Sequence, residues 1–474
     1  MKPQIINPNV GNFVKSLRDI GYTFEIAVAD LIDNCITAQA STIKIYTVPE
    51  PNLVFGLLDD GIGMSKAELI EAMRLASKDP DEQRDHYDLG RFGLGLKTAS
   101  FSQCRKLTVL SKNNGNTSIA QWDLDYITAK NSWLLKYPNI NEVYNMPLLD
   151  DFIQSKKGTL VIWEKLDRYE KDTFSVTIDK LRKHISLVFH RFLEGSIKNK
   201  KVKIYINNDN LLAFNPFNLN NPYTQELAVE KIKQFNYTIN IQPFILPHHS
   251  KVSQQEYERY ATEDGYTKSQ GFYLYRENRL LIYGTWWGLH RIKDAHKLVR
   301  IKIDISNKQD FYWGIDIKKS TANPCQEIKG DLKRIINQIT EKGSRPYTGR
   351  GKKIKDTTTT RFWNLVPCQD GIRFSINEDH PLLKKLRLDL SSEQNELLKM
   401  YLSAIQSYLP LEAIQAQLQE NPHEIKQETT FSDEELLKII EKIKESGISD
   451  SYYEELKKTE LFKNRLELFK NGVE

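Results

Sequence analysis

Acidic and amide side chains cluster near the start of the chain, in Ala29-Asp30-Leu31-Ile32-Asp33-Asn34. On a helix, Asp30, Asn34 and Thr37 fall at i, i+4 and i+7 and share one face, with an apolar face opposite. A carboxylate one turn from a carboxamide suits a water-activating base beside a Mg2+ ligand, because magnesium takes few protein oxygens and keeps water and phosphate in its shell. Read alone, the pattern is more often the solvated face of an amphipathic helix. A second group, Asp59-Asp60-Gly61-Ile62-Gly63-Met64, follows an apolar strand at 54–58. Its alternate glycines let the backbone turn sharply and approach a flat ligand. An aspartate at a strand end can accept a hydrogen bond from an exocyclic amine, although Asp-Gly is also an ordinary turn. A third group runs Gly90-Arg91-Phe92-Gly93-Leu94-Gly95-Leu96-Lys97-Thr98-Ala99-Ser100. Glycines ahead of a helix leave N–H groups free for phosphate oxygens, the helix N-terminus favours negative charge, and Lys97 adds a full positive one. The segment has neither the spacing of a P-loop nor the setting of a dinucleotide fingerprint. Last, Lys157-Gly158-Thr159 opens a strand and offers a hydroxyl.

The elements that must position these residues follow from periodicity and breakers. Residues 12–38 read as helix with a break near Gly21, and 41–48 and 54–58 read as strands. A helix at 66–76 starts at an N-cap, Ser65. Residues 77–89 are polar, charged and aperiodic, and read as a mobile loop. A helix follows at 96–101, then strands at 107–111, 117–124 and 158–164, a helix with basic residues at 176–194 and a strand at 202–206. Strands and helices alternate from about 230 to 340. Residues 342–361, with three glycines, a proline, five threonines and several cations, read as a basic linker or loop. Beyond it lie a short strand at 374–376, a helical stretch at 391–420 and a Glu/Lys-rich helical tail at 427–469. Leu398, Tyr401, Leu402, Ile405 and Leu409 form an apolar stripe, which suits intramolecular core more often than a partner helix.

The bulk numbers fit an ordinary soluble protein. The chain has 474 residues, 40% of them hydrophobic and 27% charged, with a net charge of +5. No stretch approaches the ~20 apolar residues of a membrane span, and no signal peptide is read. Cys35, Cys104, Cys325 and Cys368 stand far apart, without the spacing of a disulfide framework or a zinc site. A cytoplasmic location with reduced thiols is expected.

In this order and spacing, the four groups resemble the motifs of the GHKL ATPases, the superfamily of gyrase-type topoisomerases, heat-shock-ninety chaperones, histidine kinases and MutL. The resemblance is clear over residues 10–170 and weaker to about 340. Arg91 to Ser100 is similar to the MORC form, and the likeness is greatest to the prokaryotic MORC-like and MutL-like branch. It implies an α+β fold, with a GHKL (Bergerat) α/β sandwich at 1–175 and a transducer-like α/β domain at 176–341. The 342–361 linker and a mostly helical region at 362–474 complete the chain.

It also implies ATP and Mg2+ as ligands. Asn34 would bind the metal, and Asp59 would hold the adenine amine with Thr159 nearby. Gly61, Gly63 and Met64 would shape the base pocket. Residues 77–92 would be a lid, and Gly90, Phe92, Gly93, Leu94, Gly95, Leu96 and Lys97 would line the phosphates. Asp30 takes the place of the usual catalytic glutamate, so slow hydrolysis is expected. A lysine from the second domain would reach the γ-phosphate; within Trp313-Gly314-Ile315-Asp316-Ile317-Lys318-Lys319-Ser320 the choice is Lys318 over Lys319. ATP binding would close a homodimeric clamp, with residues 1–20 as a strap. DNA is the expected partner, from the cations at Lys180, Arg182, Lys183, Arg191, Lys198, Lys200, Lys201 and Lys203 and in the 342–361 loop. Prokaryotic relatives of this kind resemble components of restriction or phage defence, where a separate nuclease or effector would act. A protein-remodelling ATPase and a nucleotide-gated sensor with little turnover are the competing readings.

Overall fold

A computed structural model describes residues 9–75, 89, 95–197, 201–262, 265–316, 318–348, 359–368, 371–420, 431–445, 450–463 and 465–469. The chain divides into one unit of Met1–Pro247 with Glu258–Gly343, and another of His248–Tyr257 with Ser344–Glu474. The first unit opens with helices α1 (Val10–Arg18) and α2 (Phe24–Thr37), strands β1 (Thr42–Val48) and β2 (Val54–Asp59), and helices α3 (Lys66–Met73) and α4 (Gly95–Gln103). Next come β3 (Lys106–Asn113), β4 (Asn116–Asp123), α5 (Leu124–Lys130), α6 (Leu149–Gln154), β5 (Gly158–Glu164), α7 (Phe174–Val188), α8 (His190–Glu194), β6 (Lys203–Ile206) and β7 (Asp209–Asn210). These strands form one sheet in the order β4-β3-β5-β2-β1-β6-β7, antiparallel except for the β1–β6 pair.

Helix α2 is apolar nearly all round. Phe24, Ala27, Val28, Leu31, Ile32, Cys35 and Ile36 are all buried, and the helix lies inside the main core. A helix with an apolar stripe this wide is drawn inward as a whole and carries its polar residues with it. Asp30 and Asp33 are therefore buried, whereas Asn34 stays exposed. The single polar face expected for Asp30, Asn34 and Thr37 is thus divided between the interior and the surface.

The first sheet extends beyond the boundary expected at 175. Phe174, Ile178, Leu181 and Ile185 of α7 fall at i, i+4, i+7 and i+11, and all four enter the same core, as do Ile204 and Ile206 of β6. The helix expected at 176–194 is interrupted at Phe189, a core residue between α7 and α8.

The second sheet belongs to the same unit. It contains β8 (Gln225–Glu226), β9 (Glu230–Gln234) and β10 (Tyr237–Ile245). After helices α9 (Gln254–Ala261) and α10 (Gly265–Lys268) come β11 (Gly271–Arg276), β12 (Arg279–Thr285) and β13 (Val299–Ile305). The order is β12-β11-β13-β10-β8, with β9 paired to β10. Helix α11 (Gln326–Thr348) buries Ile328, Leu332, Ile335, Ile336 and Ile339 in the core of this sheet. It runs on past 342, so the first residues expected as linker are helical; residues 349–358 lie outside the described set.

In the second unit, a hairpin of β14 (Trp363–Cys368) and β15 (Gly371–Ile376) precedes α12 (Pro381–Leu388), α13 (Ser392–Ser407), α14 (Leu411–Glu420), α15 (Asp433–Glu445) and α16 (Asp450–Lys457). The expected tail is a packed element in its own right. Leu436, Ile440, Leu456, Phe462 and Leu468 form a small core.

Candidate functional site

Sheet register brings the second and fourth sequence groups together. Asp59 lies opposite Thr159 across β2–β5, and Ser111 lies opposite Thr159 across β3–β5. Thr159 Oγ1 is 2.9 Å from Ser111 Oγ, which accepts the Met64 N–H at 2.8 Å. Asp59 Oδ1 accepts the Gly61 N–H at 2.8 Å. Burial pushes the Asp59 carboxyl up to about 6, with the Gly61 and Cys35 hydrogen bonds acting in the opposite direction. Its neighbour Asp60 has a different task. Its Oδ1 accepts the N–H groups of Ser41 and Thr42 at 2.7 and 2.9 Å, which fixes the turn.

Two of the glycines are required by close backbone approach. Gly63 has φ +69°, and a Cβ there would lie 2.0 Å from the Lys112 carbonyl oxygen. At Gly61 a Cβ would lie 2.7 Å from the Ala38 carbonyl oxygen, at the C-terminal end of α2. Ile62 N–H donates to that same carbonyl at 3.0 Å, so the second motif is fastened to the helix that carries the first.

The first motif meets the third at Asp30. A Cβ on Gly95, the first residue of α4, would lie 3.6 Å from Asp30 Oδ2. Tyr22 Oη donates to the same oxygen at 2.9 Å. Lys97 points elsewhere; its Nζ donates to the Ala72 carbonyl of α3 at 2.9 Å. Gly90, Arg91, Phe92, Gly93 and Leu94 lie outside the described residues, as do residues 1–8 and the rest of the expected lid except Leu89. Leu89 is tied at both ends. Its N–H donates to Thr37 Oγ1 at 3.4 Å, and its carbonyl accepts from Arg276 Nη1 at 3.1 Å.

The second sheet and the turn that follows it contribute two cations to the floor of the site. Lys319 Nζ lies 2.6 Å from Asp33 Oδ2 and 3.2 Å from Asp30 Oδ1. Arg279, at the start of β12, pairs with Asp33 Oδ1 at 2.9 Å. All four side chains are buried, giving two carboxylates and two cations and a cluster of balanced charge, the condition under which ions survive in an interior. Burial raises the Asp30 carboxyl, Lys319 and Arg279 lower it, and Asp33 raises it. Lys319 has φ +53° and sits in a turn held by Asp316, whose Oδ1 accepts the Ser320 and Thr321 N–H groups at 2.8 and 2.9 Å. A non-glycine residue in this conformation is strained and has to be held by its surroundings. Lys318, the lysine favoured from sequence, is half-buried with its Nζ 3.4 Å from the Gly21 carbonyl.

Comparison with known proteins coincides with this geometry. Residues 22–159 match the family model described as histidine kinase-, DNA gyrase B-, and HSP90-like ATPase. This region belongs to the GHKL superfamily. The chain is 32% identical over 105 residues to ATPase morc-1 of Caenorhabditis elegans, covering 22% of this chain and 12% of that protein. Over 163 residues the chain is 25% identical to DNA mismatch repair protein MutL of Clostridium acetobutylicum, covering 33% of this chain and 26% of that one. The match therefore spans only a small part of either relative. Among the described residues, no helix is long and apolar enough to cross a membrane.

Sequence reasoning gave no role to Tyr22, Asp33 or Arg279. Asp33 carries a signal, because it lies at i+3 from Asp30 on the same helix. Arg279 carries a weaker one, as a charge at the head of the apolar run Leu280-Leu281-Ile282. Nothing local marks Tyr22.

Proposed function

We propose that the GHKL domain binds Mg-ATP and hydrolyses it slowly, with Asp30 as general base and Lys319 as the cation for the γ-phosphate. The observation that carries this reading is the meeting of Asp30 with a lysine from the turn after the second sheet, beside the N-terminus of α4. Asp59 accepts the adenine amine with Thr159 beside it, and Gly61, Gly63 and Met64 shape that end of the pocket. The start of α4, with Gly95 and Leu96, faces the phosphates; Gly90, Phe92, Gly93 and Leu94, which the resemblance assigns to the same task, lie outside the described residues. Lys97 joins them by leaving the Ala72 carbonyl. Asn34 fits Mg2+, being an exposed oxygen donor one turn beyond Asp30; the metal supplies charge neutralisation at the phosphates.

In the chemical step, the oxygen of water bonds to the γ-phosphorus and the bond to the β-phosphate oxygen breaks. The water proton passes to Asp30. For Asp30 to act as a base, Lys319 has to leave it for the γ-phosphate. Asp33 then keeps Arg279, and the charge left on Asp30 is the one that the water proton neutralises. This exchange, together with a base one methylene shorter than glutamate, is a physical reason for slow turnover. It also links nucleotide to the position of the second sheet, which is what an ATP-driven switch needs.

Equilibrium titration with ATP tests the reading. Asn34→Ala should weaken binding at least about tenfold with Mg2+ present, the loss of one oxygen ligand, and change it little without the metal. Equal affinities under both conditions would remove Asn34 from the site.

The switch extends to DNA as partner and to closure of two copies as a clamp. The MutL relative is by name a DNA mismatch repair protein. On this chain Arg182 pairs with Asp209 at 2.9 Å, and Arg191 pairs with Asp304 and stacks 3.6 Å from the Tyr275 ring centre, so both cations are already engaged. Lys180, Arg182, Lys183 and Arg259 line a cavity of about 910 Å3, with Phe214 and Tyr283 in its walls. That cavity suits a phosphodiester strand, which makes binding salt-dependent.

A further inference from the structure

The second sheet has an apolar face and a charged one. On β13, Ile301, Ile303 and Ile305 enter the core shared with α11, so the alternate residues Arg300, Lys302 and Asp304 belong to the other face. Register sets Gln242 and Tyr273 beside Lys302, and Asn240 and Tyr275 beside Asp304. Helix α8 and residues 215–219 lie over this charged face, and a pocket of about 600 Å3 remains between them, within the range of small-molecule sites. It shares no residue with the nucleotide site.

The charges lining the pocket are unequally satisfied. Asp304 is paired with Arg191, and Glu277 Oε1 accepts the Asn307 N–H at 3.0 Å. Lys302 differs. It is half-buried, yet it makes no hydrogen bond or ion pair with a described residue, and its Nζ stands 5.4 Å from the Phe244 ring centre. Burial lowers its ammonium, and Asp304 raises it against that trend. Glu194 also lacks a cation among the described residues. Its partner is His190 Nδ1 at 3.5 Å, and burial lowers that imidazole, which keeps it neutral at neutral pH.

We propose that this pocket binds a small zwitterion with an apolar side chain, its carboxylate toward Lys302 and its ammonium toward Glu194. That is the chemistry of a free amino acid or of a short peptide. A simple anion would meet Glu194 and Glu277, and a simple cation would meet Lys302; a molecule carrying both charges answers each side. Asn278 Oδ1 accepts from Arg191 Nη1 at 3.2 Å, which leaves the amide N–H groups of Asn278 for the carboxylate. Phe217, Leu219 and Phe244 provide the apolar wall for the side chain.

Ligand-observed NMR titration of the full chain, without nucleotide, tests this. Phenylalanine and leucine should bind with Kd of about 1 mM or lower, as expected for ligands of this size. N-acetylphenylalanine, which lacks the ammonium, and phenethylamine, which lacks the carboxylate, should each bind at least about tenfold more weakly than phenylalanine. Lys302→Met should weaken phenylalanine at least about tenfold and leave phenethylamine unchanged; Glu194→Gln should do the same to phenylalanine and leave N-acetylphenylalanine unchanged. Cooperative thermal unfolding shows that both variants fold. The dipeptide phenylalanylglycine separates the two sources: tighter binding than phenylalanine assigns a peptide, weaker binding a free amino acid, and either supports the site. No binding of the amino acids or the dipeptide up to about 20 mM overturns the proposal. So does equal binding of the two analogues, or phenylalanine binding that both variants leave intact.

Discussion

Replacing Asp59 by asparagine removes a buried charge and a ligand contact together. Burial at the end of β2 lifts the Asp59 carboxyl from 3.8 to about 6, so its ionised form at neutral pH costs the folded state roughly 3 kcal/mol. The folded value lies above the unfolded one, so the folded state holds the proton more tightly. The stability this represents is complete below about pH 4 and is lost as pH rises through about 6. Asparagine keeps an oxygen for the Gly61 N–H and carries no charge. The variant should therefore be more stable than wild type at neutral pH by roughly 1–3 kcal/mol, a rise of several degrees in unfolding midpoint, and the gain should vanish below about pH 4. ATP affinity should move the other way. Loss of a charged hydrogen-bond acceptor is worth about 1.5–3 kcal/mol, or roughly 10- to 100-fold in Kd. Thermal unfolding across this pH range without nucleotide, with ATP titration at neutral pH, measures both. A variant less stable than wild type at neutral pH, or a stability difference that ignores pH, would refute the burial argument. Unchanged affinity would take Asp59 out of the base pocket.

The lysine pair separates cleanly. Lys319→Met should cut phosphate release by at least about 100-fold, the usual worth of a transition-state donor, whereas Lys318→Met should stay within a few-fold of wild type. Lys319→Met should also lower stability by about 3–5 kcal/mol, because Asp30 and Asp33 lose a buried partner, and denaturant unfolding reads this directly. Turnover should depend on pH through Asp30. Burial, opposed by Lys319, raises its carboxyl, so activity should fall away on acidification at a higher pH than for an exposed aspartate. Tyr22→Phe removes a hydrogen bond to the ionised form and should push that loss to still higher pH; an unmoved acid limb would show that Tyr22 does not act on Asp30.

The proximity of the second and fourth groups was legible because the parts are local. Asp59 with its glycines, the glycine-rich approach to α4 and Gly158-Thr159 each announce a turn or a helix start by residue type alone, and the alternating strands then fix which of them meet. The burial of α2 was legible too, in its wide apolar surface, although its consequence for Asp33 was not drawn. The floor of the site was hidden. Lys319 reaches Asp33 only because a positive-φ turn after the second sheet points it inward, and neighbouring lysines look alike in sequence. Arg279 comes from a strand far along the chain. That the first core continues past 175 was hidden for a similar reason: α7 carries basic residues on its outer face, and the apolar stripe that joins it to the first core is visible only once the helix is packed. In the C-terminal region, half-buried Leu402 and exposed Tyr401 differ by a single position on α13, so the stripe could not be divided without β15 beside it.

The most direct test is single-turnover phosphate release from saturating Mg-ATP by wild type and by Asp30→Asn, with bound ATP measured in the same samples. If Asp30 is the base, both proteins hold ATP and the variant releases phosphate at least about 100-fold more slowly. Equal release from the two, or ATP bound by wild type with no release at all, would contradict hydrolysis at Asp30.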